Sequence, residues 1–202
     1  PRTRDAIVAC GELLSTVIIA SAALSAGLDG LWLDARDCIR TDSTFGAAHV
    51  DFEATNELIK ERILPRDGRL YITQGFIAST PKGVTSTLGR SGSDYSAAIF
   101  AAALGADALE IWTDVDGIMT TDPRIVPTAF RVPEMSYAEA AELAYFGAKV
   151  VHPATMQPAV RTGIPIYVRN THNPENPGTL ISDAKRSLGL RAIAAKKAVT
   201  VV

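Results

Sequence analysis

The chain has 202 residues, 47% of them hydrophobic and 21% charged, the balance of a globular protein with a sizeable core, which excludes disorder and fibrous repeats. Twenty Lys and Arg against 22 Asp and Glu leave a formal net charge of −2, so no bulk positive charge is available for nucleic acid or an anionic membrane. The longest uncharged stretch, Leu13 to Leu28, is interrupted by Ser15, Thr16, Ser21 and Ser25 and is expected to fall short of a transmembrane span.

Short aliphatic or β-branched runs alternate with longer Ala/Leu-rich ones, which predicts an α/β fold with a mostly parallel sheet covered by helices. In chain order, a strand is expected at Ala6 to Cys10 and a helix at Leu13 to Ala26, ended by Gly27. A strand at Leu31 to Asp34, a helix at Ala54 to Leu64 and a strand at Leu70 to Thr73 follow. Next come a helix at Asp94 to Leu104, ended by Gly105, and a strand at Leu109 to Thr113. Helices at Tyr137 to Phe146 and Ala154 to Arg161, the latter ended by Gly163, precede a strand at Ile164 to Val168. Ser136 and Glu139 have the spacing of a capping box, in which hydroxyl and carboxylate each reach a backbone amide of the first turn.

The prolines and glycine of NPENPGTLIS place a boundary near Ser182, beyond which an alternating run ends the chain. Cys10 and Cys38 lack the spacing of a disulfide framework or zinc site, which fits a reducing cytoplasm. The start at Pro1, without an initiator Met or signal peptide, predicts a truncated N-terminus.

Four segments carry potential chemistry. TQGFIASTPKGVTSTLGRSGSDYSAA leads from a strand through Gly83, Gly89 and Gly92 into a helix at Ser93 and Asp94, a unit able to hold an anion on backbone amides. An ordinary capped turn would read the same way, and the loop matches neither the P-loop nor the dinucleotide fingerprint. Arg90 can clamp a carboxylate or simply be solvated, and Asp94 can hold lysines or a nucleophile in place or complement the helix dipole. EIWTDVDGIMTTDPR ends a strand at Thr113 and Asp114, where ligands of open α/β sheets lie. Asp114 and Asp116 do not make an EF-hand, because Met119 and Ile125 occupy its required glycine and glutamate positions. CGELLST places Glu12 at an expected strand-to-helix junction, and FGAKVVHP places Lys149 just after a helix. His152 has no second histidine at metal spacing.

The order of CGELLST, TQGFIAS, TLGRSGSDYSAA, WTDVDGIMTTDPR, MSYAEAAELAYFGAKVVHPAT and IPIYVRNT with NPGTLIS resembles the aspartokinase family over nearly the whole chain. The resemblance implies a three-layer αβα sandwich of the amino-acid kinase type, with a mostly parallel central sheet, incomplete at its N-terminus. It implies ATP-dependent phosphorylation of the L-aspartate side-chain carboxylate to 4-phospho-L-aspartate, the first step toward lysine, threonine and methionine.

By the same resemblance Glu12 meets the substrate ammonium, Arg90 the substrate carboxylate with Ser93 beside it, and Asp94 organises the catalytic lysines. Thr113, Asp114 and Arg124 line the nucleotide site, and Lys149 approaches ATP. Mg2+ is expected with ATP, held mainly through the phosphates, with no protein metal ligands. The expected partners are L-aspartate and ATP, with no nucleic acid and no membrane, and a homo-oligomer in the full-length protein. Residues 1–182 would be a catalytic domain and 183–202 the linker and start of an ACT-like regulatory domain.

Three features depart from the family pattern. The N-terminal K-F-G-G-T-S segment with its catalytic lysine is absent, so this chain alone is expected to be inactive as a kinase. Met119 stands where many members carry tyrosine, and Ser91 where glycine is usual. A non-catalytic module that binds nucleotide or amino acid is the competing reading. Another amino-acid kinase, acting on glutamate or a nucleoside monophosphate, fits GELLST and FGAKVVHP less well.

Overall fold

The computed structural model describes residues 1–63, 68–145, 152–183 and 192–193 and divides into two compact units, Pro1–Leu104 and Gly105–Val202. The first unit opens with α1 (Arg2–Ser25), followed by β1 (Gly30–Leu33), α2 (Phe52–Arg62) and β2 (Leu70–Thr73). β3 (Ile77–Ser79), β4 (Thr85–Thr87) and α3 (Gly92–Leu104) complete it. β1 and β2 pair in parallel, Gly30 opposite Leu70 and Leu33 opposite Thr73, while β3 and β4 form an antiparallel hairpin.

The expected strand at Ala6 to Cys10 is helix: α1 takes it in and runs on unbroken, so Glu12 lies within a helix and not at a strand-to-helix junction. A short Ala/Val/Ile run does not distinguish strand from helix by composition. The buried positions Asp5, Ala9 and Thr16 recur at helical spacing and settle the matter. α1 is also long and apolar enough to cross a membrane by length and composition, which corrects the expectation that this stretch falls short.

Its polar side chains nevertheless tie it to the first unit. Buried Asp5 accepts the amides of Gly46 (2.9 Å) and Thr87 (3.0 Å). Thr16 Oγ1 accepts from Trp32 Nε1 (3.1 Å) and from Gln74 Nε2 (2.7 Å), and Gln74 Oε1 accepts the amide of Ala35 (2.8 Å). Each bond satisfies a group whose burial would otherwise cost about 1–3 kcal/mol. The main core of this unit gathers Cys38, Ile39, Ile59, Ala78 and Ile99, and a second cluster of Ala9, Ala35 and Ile77 packs with Leu13 and Phe76.

The second unit contains β5 (Leu109–Thr113), β6 (Glu134–Ser136), α4 (Tyr137–Tyr145), α5 (Pro153–Arg161), β7 (Ile166–Asn170) and β8 (Thr179–Ser182). Its sheet has the order β5-β7-β8-β6, with β5–β7 and β6–β8 parallel and β7–β8 antiparallel. β7 starts two residues later than expected, because Pro165 has no N–H for the ladder; its carbonyl instead accepts Leu109 N at 2.9 Å. The Ser136–Glu139 capping box is formed, with Ser136 N to Glu139 Oε2 at 2.7 Å and Glu139 N to Ser136 Oγ at 3.2 Å. Gly27, Gly105 and Gly163 follow α1, α3 and α5 at positive φ, as a left-handed helix end requires. Of the tail after Ser182, only Asp183, Ala192 and Ile193 are among the described residues.

Candidate functional site

In the first unit, the end of β2 and the start of α3 meet backbone to backbone. A Cβ on Gly75 would lie 2.8 Å from Ser93 Cα, and one on Gly92 would lie 2.7 Å from Phe76 Cδ2, so glycine is required at both crossings. Phe76 N donates to Ser96 Oγ at 3.0 Å and Leu88 N to Phe76 O at 2.9 Å, which locks TQGF against LGRSGS. The lock forces two non-glycine residues into the left-handed region, Phe76 at φ 69° and Ser91 at φ 54°. Strain of this kind costs of order 1–3 kcal/mol per residue and clusters where a site needs a fixed backbone.

This crossing sets out Arg90, Ser93 and Asp94 within one loop and the first turn of α3. Arg90 and Ser93 are exposed, whereas Asp94 is half-buried, and burial pushes its carboxyl above the usual aspartate range. Among the described residues Asp94 has no hydrogen-bond or ion-pair partner, and its burial disfavours the charged carboxylate. Glu12, half-buried, lies one helical turn before Thr16 on the same face of α1. Its neighbours Ala9 and Leu13 pack with Phe76 and Ile77, next to the same crossing.

The sequence reading passed over the segment from Asp42 to His49, which is sewn to this loop. Ala48 N donates to Thr87 O at 2.9 Å, and a Cβ on Gly89 would lie 3.1 Å from that of Ala47. Asp42 accepts from the amides of Thr44 and His49, both at 3.0 Å, from Thr44 Oγ1 at 2.8 Å and from His49 Nδ1 at 2.9 Å. The His49 contact, followed by the amides, holds its carboxyl well below the usual range. The signal was the Thr-Asp-Ser-Thr cluster before Phe-Gly, a turn signature. Gln74 was passed over too, although a polar residue between strand and glycine marks a buried tie.

In the second unit, Thr113 ends β5 opposite Asn170 at the end of β7, and Thr171 N donates to Thr113 O at 2.9 Å. Thr113 Oγ1 donates to Asp114 Oδ1 at 3.2 Å, and Asp114 is exposed at the carboxyl end of the parallel pair. Arg124 is exposed and forked onto Asp122, with Nε to Oδ1 at 3.0 Å and Nη2 to Oδ2 at 2.8 Å; the hydrogen bonds of Asp122 raise its pKa. Met119 bridges Arg131 across the base of the 118–132 loop. Lys149 lies outside the described residues. Among those residues no three His, Cys, Asp or Glu side chains converge as a metal site.

A family model, described as the amino acid kinase family, matches residues 2–170. The chain belongs to the amino acid kinase family. It is 47% identical over 204 residues to lysine-sensitive aspartokinase 3 of Escherichia coli K12, covering 100% of this chain and 45% of that protein. Among solved structures, E. coli aspartokinase III in complex with aspartate and ADP superposes with a TM-score of 0.90 at 48% identity, over 96% of this chain and 44% of that one. Clostridium acetobutylicum aspartate kinase gives a TM-score of 0.81 at 35% identity, over 95% of this chain and 42% of that one. The fold is therefore the α/β fold of the amino acid kinase family, and the chain spans less than half the length of these relatives.

Proposed function

We propose that the chain carries the phosphoryl-transfer core of an aspartokinase, which passes the γ-phosphoryl of ATP to the side-chain carboxylate of L-aspartate and releases ADP and 4-phospho-L-aspartate. The observation that carries this reading is the locked TQGF–LGRSGS crossing with its half-buried Asp94, unpartnered among the described residues, in a chain 48% identical to an aspartokinase solved with aspartate and ADP.

In this reading Arg90 grips the substrate carboxylate with Ser93 beside it, and Glu12 meets the ammonium. Asp94 organises the catalytic lysines, and Lys149 approaches ATP. A carboxylate whose charge is disfavoured by burial gains most from an adjacent cation, so lysine and Asp94 fix each other's charge and place. Thr113, Asp114 and Arg124 hold the nucleotide at the carboxyl end of β5, where ligands of parallel sheets bind. Phosphoryl transfer asks little covalent chemistry of a protein; alignment and charge neutralisation do most of the work.

The donor set at the end of β5 offers hydroxyl, amide and isolated carboxylate groups, which fits magnesium held through the ATP phosphates. The ion would supply neutralisation of charge on those phosphates. Residues 183–202 are proposed to lead into an ACT-like regulatory domain of a homo-oligomeric protein.

The test is ATP-dependent formation of aspartyl hydroxamate from L-aspartate, with glutamate and buffer as controls, on this chain and on the longest reading frame that carries it. Product with aspartate and not with glutamate is expected from the longer protein. Folded longer protein that binds ADP and makes no product would overturn the kinase reading in favour of a non-catalytic binding module.

A further inference from the structure

The loop from Asp114 to Gly117 carries a side-chain tie that the roles above do not use. Asp116 Oδ1 accepts from Asn170 Nδ2 at 2.8 Å and from Asn173 Nδ2 at 3.2 Å. Asn170 cannot turn its amide round, because its Oδ1 already accepts the amide of His172 at 2.9 Å, which leaves Nδ2 as the donor toward Asp116. Asn170 is only 9% exposed and stands opposite Thr113 in the β5–β7 ladder.

Beyond Asp116 the chain is pinned again. Gly117, at φ 117°, packs so closely that a Cβ would lie 2.5 Å from Thr179 Oγ1, and Ile118 N donates to that oxygen at 2.8 Å. Between the ladder at Thr113 and the anchor at Gly117, Asp116 makes the tie from the β5 loop to the β7 loop. Asp114 lies between the two fixed points.

We propose that Asp116 is a positioning residue: through Asn170 and Asn173 it sets the loop that presents Thr113 and Asp114 to the nucleotide. The proposal rests on the nucleotide role assigned to those two residues above. An apolar contact could hold two loops together equally well, but it would not fix their direction. A carboxylate gripped by amides of defined orientation does.

The test compares ADP affinity by calorimetry with kinetic constants from the hydroxamate assay, in the longest reading frame that carries this chain. Asp116→Ala is expected to raise both the ADP Kd and the KM for ATP about tenfold, the size of one charge-assisted hydrogen bond, with kcat falling much less. Asp116→Asn, whose Oδ1 can still accept from Asn170, is expected to restore most of the affinity. The double variant Asp116→Ala/Asn170→Ala is expected to be no weaker than Asp116→Ala alone, since both remove one device.

Unchanged ADP affinity in folded Asp116→Ala, or no rescue by Asp116→Asn, would overturn the proposal. If Asp116→Ala does not fold, Asn173→Ala decides: a loss of about two- to threefold supports the tie and no loss overturns it. A wild type that binds ADP but makes no hydroxamate refutes the kinase reading while the ADP affinities still judge Asp116. A wild type that binds no nucleotide refutes both.

Discussion

Ser91 holds a backbone conformation that glycine takes freely, and it does so where LGRSGS is pressed against TQGF. Ser91→Gly is therefore expected to stabilise the protein by about 1 kcal/mol in denaturant unfolding, because the Cβ that opposes φ 54° is gone. Gly92→Ala should act the other way, since its Cβ would run into Phe76. Asp94 raises a different balance. Its folded-state pKa lies above the ordinary aspartate value of 3.8, so the folded protein binds that proton more tightly than the unfolded chain. The stability this confers is present at low pH and is lost as pH rises from 3.8 through the raised value. Asp94→Asn should accordingly raise the Tm at pH 7 relative to wild type, with the difference vanishing below the carboxylate range. It should also lower turnover more than ATP affinity, because the proposed role of Asp94 is alignment. Equal Tm at both pH values would show that burial does not penalise this carboxylate.

At the scale of elements, α2 to α5 and the later half of α1 were legible because their signals are local. The capping box before α4 could be read from Ser136 and Glu139 alone, and Glu139→Ala should cost about 1 kcal/mol by thermal unfolding. β3, β4, β6 and β8 were not legible because three or four residues beside turns carry too little pattern, and only their partners make them strands. Gly178 shows the same dependence on partners. A Cβ there would sit 2.0 Å from Val168 O, at a residue with φ 71°, so Gly178→Ala should break the approach of β8 to β7. A loss of roughly 3 kcal/mol or more is expected, checked by denaturant unfolding and by faster amide exchange in β7.

For the molecule as a whole, the two cysteines report on separate environments. Cys10 is exposed on α1, while Cys38 is buried in the core of the first unit and its thiol is pushed up to about 12, chiefly by that burial. A thiol reagent at pH 8 should label Cys10 within minutes and Cys38 only as the first unit opens, so Cys38 labelling measures that opening. Asp5→Ala, which leaves the Gly46 and Thr87 amides without their acceptor, should accelerate Cys38 labelling. Unaltered labelling would mean that the Asp5 tie does not hold the first unit against opening.

The sequence by itself determined the α/β alternation, the helix caps and the order of motifs, since these depend on neighbours within a few residues. It also marked Arg90, Ser93 and Asp94 as one loop-and-helix junction. Only the tertiary structure decided that Ala6 to Cys10 is helix, because the choice turns on which face meets Ala35 and Ile77. It alone revealed the strain at Phe76 and Ser91, and the reach of Asp116 to Asn170 and Asn173, far apart in sequence. Such contacts form between segments that the fold brings together, and no local pattern records the distance between them.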